Sequence, residues 1–448
     1  MSERYDAVVI GAGPAGEVAV SRLAGQGRRV ALVERELVGG ECAYWACIPS
    51  KTLLRPPEAR QEARRAAGLE EPGLHWPELA AYRDWMIRGL DDTKQVEDYR
   101  KMGVDVHKGA AEIVGPRSVR VNGEVHETER IVVATGSEPT SPPIPGLEAA
   151  GYWTNREATT LAKPPESVIV VGGGATGIEL GQLLRRLGAA VTVLEAAERL
   201  MPGEEPAVGE LVAEALRAEG IQVRRSAEVQ EVSVERGLRA VRLADGERLR
   251  ARELLVAAGR RPRVAGLGLE AAGVVPRAEG IPVDERCRAG EGVWAVGDVT
   301  GVMPFTHVGK YQARIACADI AGRSARADYR AIPRVVFSDP EIAAVGLSEE
   351  RARAEGLAVA TARVHLPEAI ARPYTYERDP RGDLGLVADR ERGVLLGAWA
   401  VAPLAGEWIH QAALAIRAEI SLAVLRDTVA QFPTFSEAYL QAVEALEA

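Results

Sequence analysis

"AVVIGAGPAG", residues 7–16, and "VIVVGGGATG", residues 168–177, decide how this chain folds. Each is a β-branched apolar run that enters Gly-x-Gly-x-x-Gly and continues with apolar residues at helical spacing. Each then returns to a second apolar run ending in glutamate, "RVALVE" at Glu34 and "AVTVLE" at Glu195. Gly11, Gly13, Gly16 and Glu34 map onto Gly172, Gly174, Gly177 and Glu195 with one common offset. One such fingerprint is a weak signal. Two in matching register, each with an acidic residue about 20 positions on, are a strong one. The first glycine makes the tight turn, the second lets backbone approach a pyrophosphate, and the third lets helix pack on strand. The helix start, Pro14 and Ala15 in the first copy, offers unpaired N–H groups and the positive end of a dipole to phosphates. The glutamate accepts from a ribose hydroxyl. Two dinucleotide sites are therefore expected. At the second, the Glu195 carboxylate repels the 2′-phosphate of NADPH, which favours NADH. Arg199, four residues on, works against that preference.

Strands alternating with helices imply parallel sheets with crossovers, an α/β fold with two Rossmann-like domains. Three later segments read as closing strands of these units. They are "RIVVATGSEP", which brings Ala134, Thr135 and Gly136, "ELLVAAGRRP", which brings Gly259, and "GVWAVGDVTG", which ends at Gly297 and Asp298. Asp298 at a strand end suits a hydrogen bond to a flavin ribityl chain. After "AGRSARADYRAIP" the texture changes to antiparallel strands, "RVVFSDPEIAAVGLS" and "GLVADRERGVLLGAWAVAP", followed by helices from Gly406 onward. The expected division is 1–147, 148–265, 266–328 returning to the first domain, and an α+β domain over 329–448.

The chain has 448 residues, too many for one core, and a net charge of −9 with no basic run, which argues against a nucleic-acid partner. No apolar run approaches the ~20 residues that span a bilayer, so no membrane partner is expected. "MSERYDAVVIGAG" enters a strand at once and leaves no room for a signal peptide, which predicts a cytoplasmic protein. Cysteines in such a reducing compartment rarely form structural disulfides. "GGECAYWACIPSK", residues 39–51, holds Cys42 and Cys47, and a close pair there points to redox chemistry or a metal. No second pair with ligand spacing exists, so no metal site is expected. On one regular helix, positions i and i+5 lie about 7.5 Å apart along the axis and on different faces. A bridge needs Cα atoms within about 7 Å, so bridging requires Cys42 off the helix start, in the "GGE" loop. Cys287 and Cys317 are isolated and read as buried small hydrophobes. Lys51 stands one turn beyond Cys47.

These residues resemble the flavoprotein disulfide reductases, the class I pyridine nucleotide-disulfide oxidoreductases that include dihydrolipoamide dehydrogenase, glutathione reductase and mercuric reductase. The resemblance covers essentially the whole chain. It rests on "GAGPAG…E", "GGECAYWACIPSK", "VVATGSEP", "GGGATGIELG", "AAGRRP", "WAVGDV", "FSDPEIAAVGLS" and "FPTFSEA". It implies that the first fingerprint, with Gly40 and Glu41, takes FAD and the second takes NAD(P)H. Cys47 is then similar to the flavin-proximal thiol and Cys42 to the interchange thiol that meets the substrate. Lys51 is similar to the lysine near the flavin, and Glu179 in "GIELG" to its ion-pair partner. The C-terminal domain resembles the family's dimerisation domain, which implies a homodimer. Hydride from NADH would pass through FAD to a redox-active Cys42–Cys47 disulfide and on to a small-molecule or protein disulfide.

One departure stands out. Disulfide-reducing members carry a histidine before the Pro–Thr of the C-terminal motif, oriented by a glutamate five residues on. Here "DTVAQFPTFSEAYLQA" places Phe432 at that position, and Glu437 remains without an imidazole. A positioned general acid–base contributes about 10²–10⁴-fold, and phenylalanine transfers no proton. The departure raises an alternative in which the acceptor is a quinone, dye or metal ion, or the enzyme is transhydrogenase-like. The transhydrogenases, however, have lost one of the two cysteines. The chain ends "VEALEA", without the C-terminal cysteine pair by which mercuric reductase captures its metal.

Overall fold

The computed structural model describes residues 4–446. The chain divides into two compact units. The first comprises residues 1–49, 81–140 and 259–328, and the second residues 50–80, 141–258 and 329–448.

In the first unit a six-stranded sheet runs in the order Arg288–Gly290, Val293–Ala295, Ile131–Val133, Ala7–Ile10, Val30–Glu34, Asp105–Lys108. All neighbours are parallel except the first pair. Side chains alternate across a strand, and both faces of this sheet are covered. Ala7, Val9, Val30, Leu32 and Val132 therefore enter one core with the helices Pro14–Ala24 and Thr306–Ile320. Val8, Ile10, Ala31, Val33, Ile131 and Val133 enter the other.

The second unit repeats the logic. Its parallel sheet runs Gln222–Arg224, Ala190–Leu194, Ser167–Val171, Glu253–Val256. Val168, Val170, Val191 and Val193 face one core, and Ile169, Leu194, Leu254 and Val256 face the other. The C-terminal portion is a five-stranded antiparallel sheet, Pro333–Val336, Glu341–Gly346, Val394–Ala402, Asp383–Asp389, Val359–His365, followed by helices.

Packing divides the chain differently from the fold units expected at 147/148 and 265/266. The breaks fall after Thr140 and before Gly259, and Ser50–Ala80 belongs with the second unit. The reason is apolar: Leu53, Leu54 and Leu79 are buried in the same core as Val168 and Val170. Among the described residues no helix is long and apolar enough to cross a membrane.

Candidate active site and its nucleotide cradles

The two fingerprints fold alike. Gly11 and Gly172 have φ of 102° and 113°, where a side chain is strained. A Cβ at Gly11 would lie 2.3 Å from the Ala134 carbonyl oxygen, and one at Gly172 2.4 Å from that of Ala257. A Cβ at Gly16 or Gly177 would lie 1.9 Å from the Gly11 or Gly172 carbonyl oxygen. Gly13 and Gly174 are different, since a Cβ on either would meet no protein atom within 4 Å. The side-chain direction at both is open space, which leaves room for a phosphate to approach.

The glutamates also match. Glu34 accepts from the Ala12 N–H and the Glu36 N–H, both at 2.7 Å. Glu195 accepts from the Gly173 N–H at 2.7 Å and the Ala197 N–H at 2.8 Å. Each carboxylate is thereby oriented with lone pairs left for a ribose. Arg199 donates to the Pro202 carbonyl at 3.0 Å.

Around the first cradle, Gly40 is held at φ 62°, and a Cβ there would press on the Gly13 Cα at 2.7 Å. Pro14 opens the helix, and Ala15 is buried beside Gly297. Glu41 pairs with Arg263 at 3.1 Å, tying the cysteine segment to "GRRPR". Thr135 donates to the Arg263 carbonyl at 2.7 Å. Gly136 and Gly259 both turn with positive φ. Asp298 accepts from the Ser137 hydroxyl at 2.6 Å, and Ser137 accepts from Arg260 Nε at 2.8 Å. The Gly297 N–H donates to buried Gln312 at 2.7 Å. Bare glycine backbone, a helix start and an oriented carboxylate all fit a bound dinucleotide.

The cysteine segment folds as two helices. Cys42 sits off the start of the Cys47 helix, as bridging requires, but on a short helix of its own, Gly40–Tyr44, rather than in the "GGE" loop. The chain leaves helical geometry at Trp45, and Cys47 opens a new helix, Cys47–Arg65. That break removes the axial separation a single helix would impose. Both residues are half-buried, unbridged thiols. The Thr306 hydroxyl joins them, donating to Cys42 Sγ at 3.3 Å and lying 3.6 Å from Cys47 Sγ. The neighbouring Cys47 thiol, together with burial, holds the Cys42 thiol well above its ordinary range, while Thr306 and Lys310 pull it down.

Lys51 Nζ donates to Glu179 Oε2 at 2.7 Å, and the Phe337 N–H donates to the other carboxylate oxygen at 2.9 Å. Glu179 is almost fully buried, and Lys51 also lies over the Phe337 ring at 4.8 Å. Glu179 is the buried partner and Lys51 is part-exposed, so loss of Lys51 would strand a buried carboxylate, and the pairing holds the lysine in place.

Phe432 is 73% exposed. Glu437 ends the turn Phe435–Glu437, and its Oε2 is buried with no hydrogen-bond partner among the described residues. Cys287 and Cys317 are buried as expected, and burial pushes the Cys317 thiol up to about 11. His307 is exposed and stacks on Phe305, and His410 is exposed on its helix. Among the described residues no cluster of metal-ligating side chains occurs.

Sequence reasoning missed Thr306, Ser137, Arg260, Gln312 and Phe337. Ser137, Arg260 and Phe337 lie inside the motifs "VVATGSEP", "AAGRRP" and "FSDPEIAAVGLS", whose spacing does not mark their individual roles, and Thr306 and Gln312 lie in no such motif. For Thr306 the available signal was its place at a helix start.

Residues 5–315 match the model of the pyridine nucleotide-disulphide oxidoreductase family, and residues 332–443 match the dimerisation domain of that family. A dihydrolipoyl dehydrogenase of Thermus scotoductus is 36% identical over 99% of this chain and 97% of its own. A mercuric reductase of Acidithiobacillus ferrooxidans is 36% identical over 98% of this chain and 81% of its own. The HOCl-induced flavoprotein disulfide reductase RclA from Escherichia coli, solved as a Cu(II) complex, superimposes with a TM-score of 0.86 at 30% identity, covering 98% of this chain and 99% of that one. The chain belongs to the pyridine nucleotide-disulphide oxidoreductase family and is an FAD- and pyridine-nucleotide-dependent oxidoreductase.

Proposed function

We propose that the protein, as a cytoplasmic homodimer, takes electrons from NADH and delivers them through the Cys42–Cys47 pair to a small-molecule or protein disulfide. The observation that carries this reading is the pair of thiols sharing one hydroxyl at the start of a helix. A helix N-terminus favours a thiolate, the reactive form of cysteine. Bound FAD supplies the two-electron relay between nicotinamide and thiols. The residues assigned to hold it are those of the first cradle, from Gly11 to Glu34, with Gly40, Glu41, Ala134 to Gly136, Gly297 and Asp298. Lys51, fixed by Glu179, contributes a positive charge on the helix that begins at Cys47.

Phe432 favours a second reading, in which the acceptor is a quinone or a metal ion that needs no proton at that position. The copper complex of the Escherichia coli relative is consistent with it. NADH oxidation measured with lipoamide, a soluble quinone and Cu(II), in wild type and Cys42→Ser, decides between the two. Lipoamide turnover lost by about 10³-fold or more in Cys42→Ser supports the thiol exit, since nucleophile and partner act as a unit. Quinone or copper turnover that exceeds lipoamide and survives the substitution replaces it with the second reading.

The preference for NADH rests on Glu195. Replacing Glu195 by serine is expected to lower the ratio of NADH to NADPH efficiency by about tenfold or more, because a like charge close to the 2′-phosphate is removed. Steady-state kinetics with both nucleotides measure it, and an unchanged ratio would show that another group selects the nucleotide.

A further inference from the structure

Thr306 is the first residue of the 15-residue helix Thr306–Ile320, and its hydroxyl lies between the two sulfurs, 3.3 Å from Cys42 Sγ and 3.6 Å from Cys47 Sγ. A hydroxyl has one proton to donate and lone pairs to accept with. It can therefore donate to one sulfur while accepting S–H from the other, and it can exchange those roles by moving two protons. The two thiols titrate as a pair, so removing the first proton makes the second harder to remove. The Cys42 thiol is raised first by its hydrogen bond with Cys47, then by burial and by the like charge of Cys47. Once the reduced pair has lost one proton, a single negative charge is left for two sulfurs to share, and something must decide which sulfur holds it.

We propose that Thr306 is a catalytic residue, a proton relay joining the two thiols. The Cys47 S–H proton passes to Thr306 Oγ1 as the Thr306 O–H proton passes to the Cys42 thiolate. One S–H and one O–H bond break, and one O–H and one S–H bond form. The hydroxyl is neutral before and after, no electrons are gained or lost, and the negative charge has moved from Cys42 to Cys47. The reverse transfer readies Cys42 to attack an acceptor. Lys310, one turn along the same helix, favours the charged form by its positive charge. The start of that helix adds its dipole. Such a relay keeps the proton within the pair, which matters in a chain whose Phe432 offers no imidazole. The proposal rests on reading Cys42 and Cys47 as the redox pair.

The test uses FAD-loaded, fully reduced protein without turnover. Iodoacetamide alkylation at Cys42 and Cys47 is followed separately by peptide mass spectrometry from pH 5 to pH 10, for wild type, Thr306→Val and Thr306→Ser. With the relay, valine slows alkylation of the pair at pH 7 by about tenfold, the effect of losing a hydrogen bond to a charged group. It also shifts the Cys42-to-Cys47 ratio and moves the pH midpoint upward. Serine restores all three. If valine impairs folding or FAD retention, Thr306→Ala removes the hydroxyl without placing a branched side chain between the sulfurs and is held to the same expectation. A hydroxyl-free variant that retains FAD and keeps the wild-type rate, ratio and midpoint overturns the relay, as does a serine variant that behaves like valine. A Cys42→Ser enzyme that reduces its acceptor as fast as wild type defeats the redox reading instead, and the two failures are distinct.

Discussion

Replacing Phe432 by histidine is expected to raise NADH–lipoamide turnover by about 100-fold, the lower end of what a positioned general acid–base supplies. The fold has little stake in the native side chain, because Phe432 is 73% exposed. Glu437, five residues on, keeps a buried carboxylate oxygen with no hydrogen-bond partner among the described residues. A buried acceptor left unpaired is costly, and an imidazole N–H is the kind of donor that relieves it. The gain should appear in kcat with lipoamide, fall away in Phe432→His/Glu437→Gln, and be absent with a quinone that needs no proton. A Phe432→His enzyme no faster than wild type would mean that the acceptor pocket has changed at more than this residue.

The second large effect separates glycines that pack from glycines that bind. Gly13→Ala is expected to fold but to lose FAD, and with it all NADH oxidation. Its new methyl meets no protein atom within 4 Å and instead occupies the space a pyrophosphate needs. Gly174→Ala should retain FAD and raise the KM for NADH by about tenfold, the equivalent of one lost hydrogen bond to a charged group. Gly16→Ala is the contrast. Its methyl would lie 1.9 Å from the Gly11 carbonyl oxygen, so backbone must move, at a cost of about 1–3 kcal/mol or more. Flavin absorbance after gel filtration, thermal melting and NADH kinetics distinguish the three. A Gly13→Ala protein that keeps its flavin would refute the placement of the cradle.

Much of this molecule can be read before it is folded. The paired fingerprints demand parallel strands, and Ala7–Ile10 and Ser167–Val171 are the central strands on which both cradles are built. Alternation along those strands sends successive residues to opposite cores, which is why uninterrupted apolar runs were the correct signal. The cysteines, Lys51, Glu179 and the glutamates are all visible because their chemistry is tied to local spacing. Phe432 is legible in the same way, as a departure from a motif.

Other features depend on contacts between segments far apart in the chain. Ser50–Ala80 joins the second unit because its leucines find their core there, and no local pattern says which of two cores an apolar helix will choose. The break at Trp45 puts each cysteine on its own helix, and the first of these begins at Gly40, seated against Gly13 from the distant fingerprint turn. Ser137 and Arg260 meet across the short antiparallel pair Ser137–Pro139 and Arg260–Pro262, which orders the partners of Asp298. Thr306 reaches Cys42 and Cys47 only because its helix packs against Pro14–Ala24 behind the first cradle. Sequence by itself determined the fold class and marked the two glycine-rich turns and the cysteine pair proposed as the redox pair, because each is written as a short periodic or spaced motif whose geometry the backbone enforces. Tertiary structure alone decided what surrounds that pair, because a hydroxyl or a carboxylate acquires its role from neighbours that packing, not spacing, brings within hydrogen-bond reach.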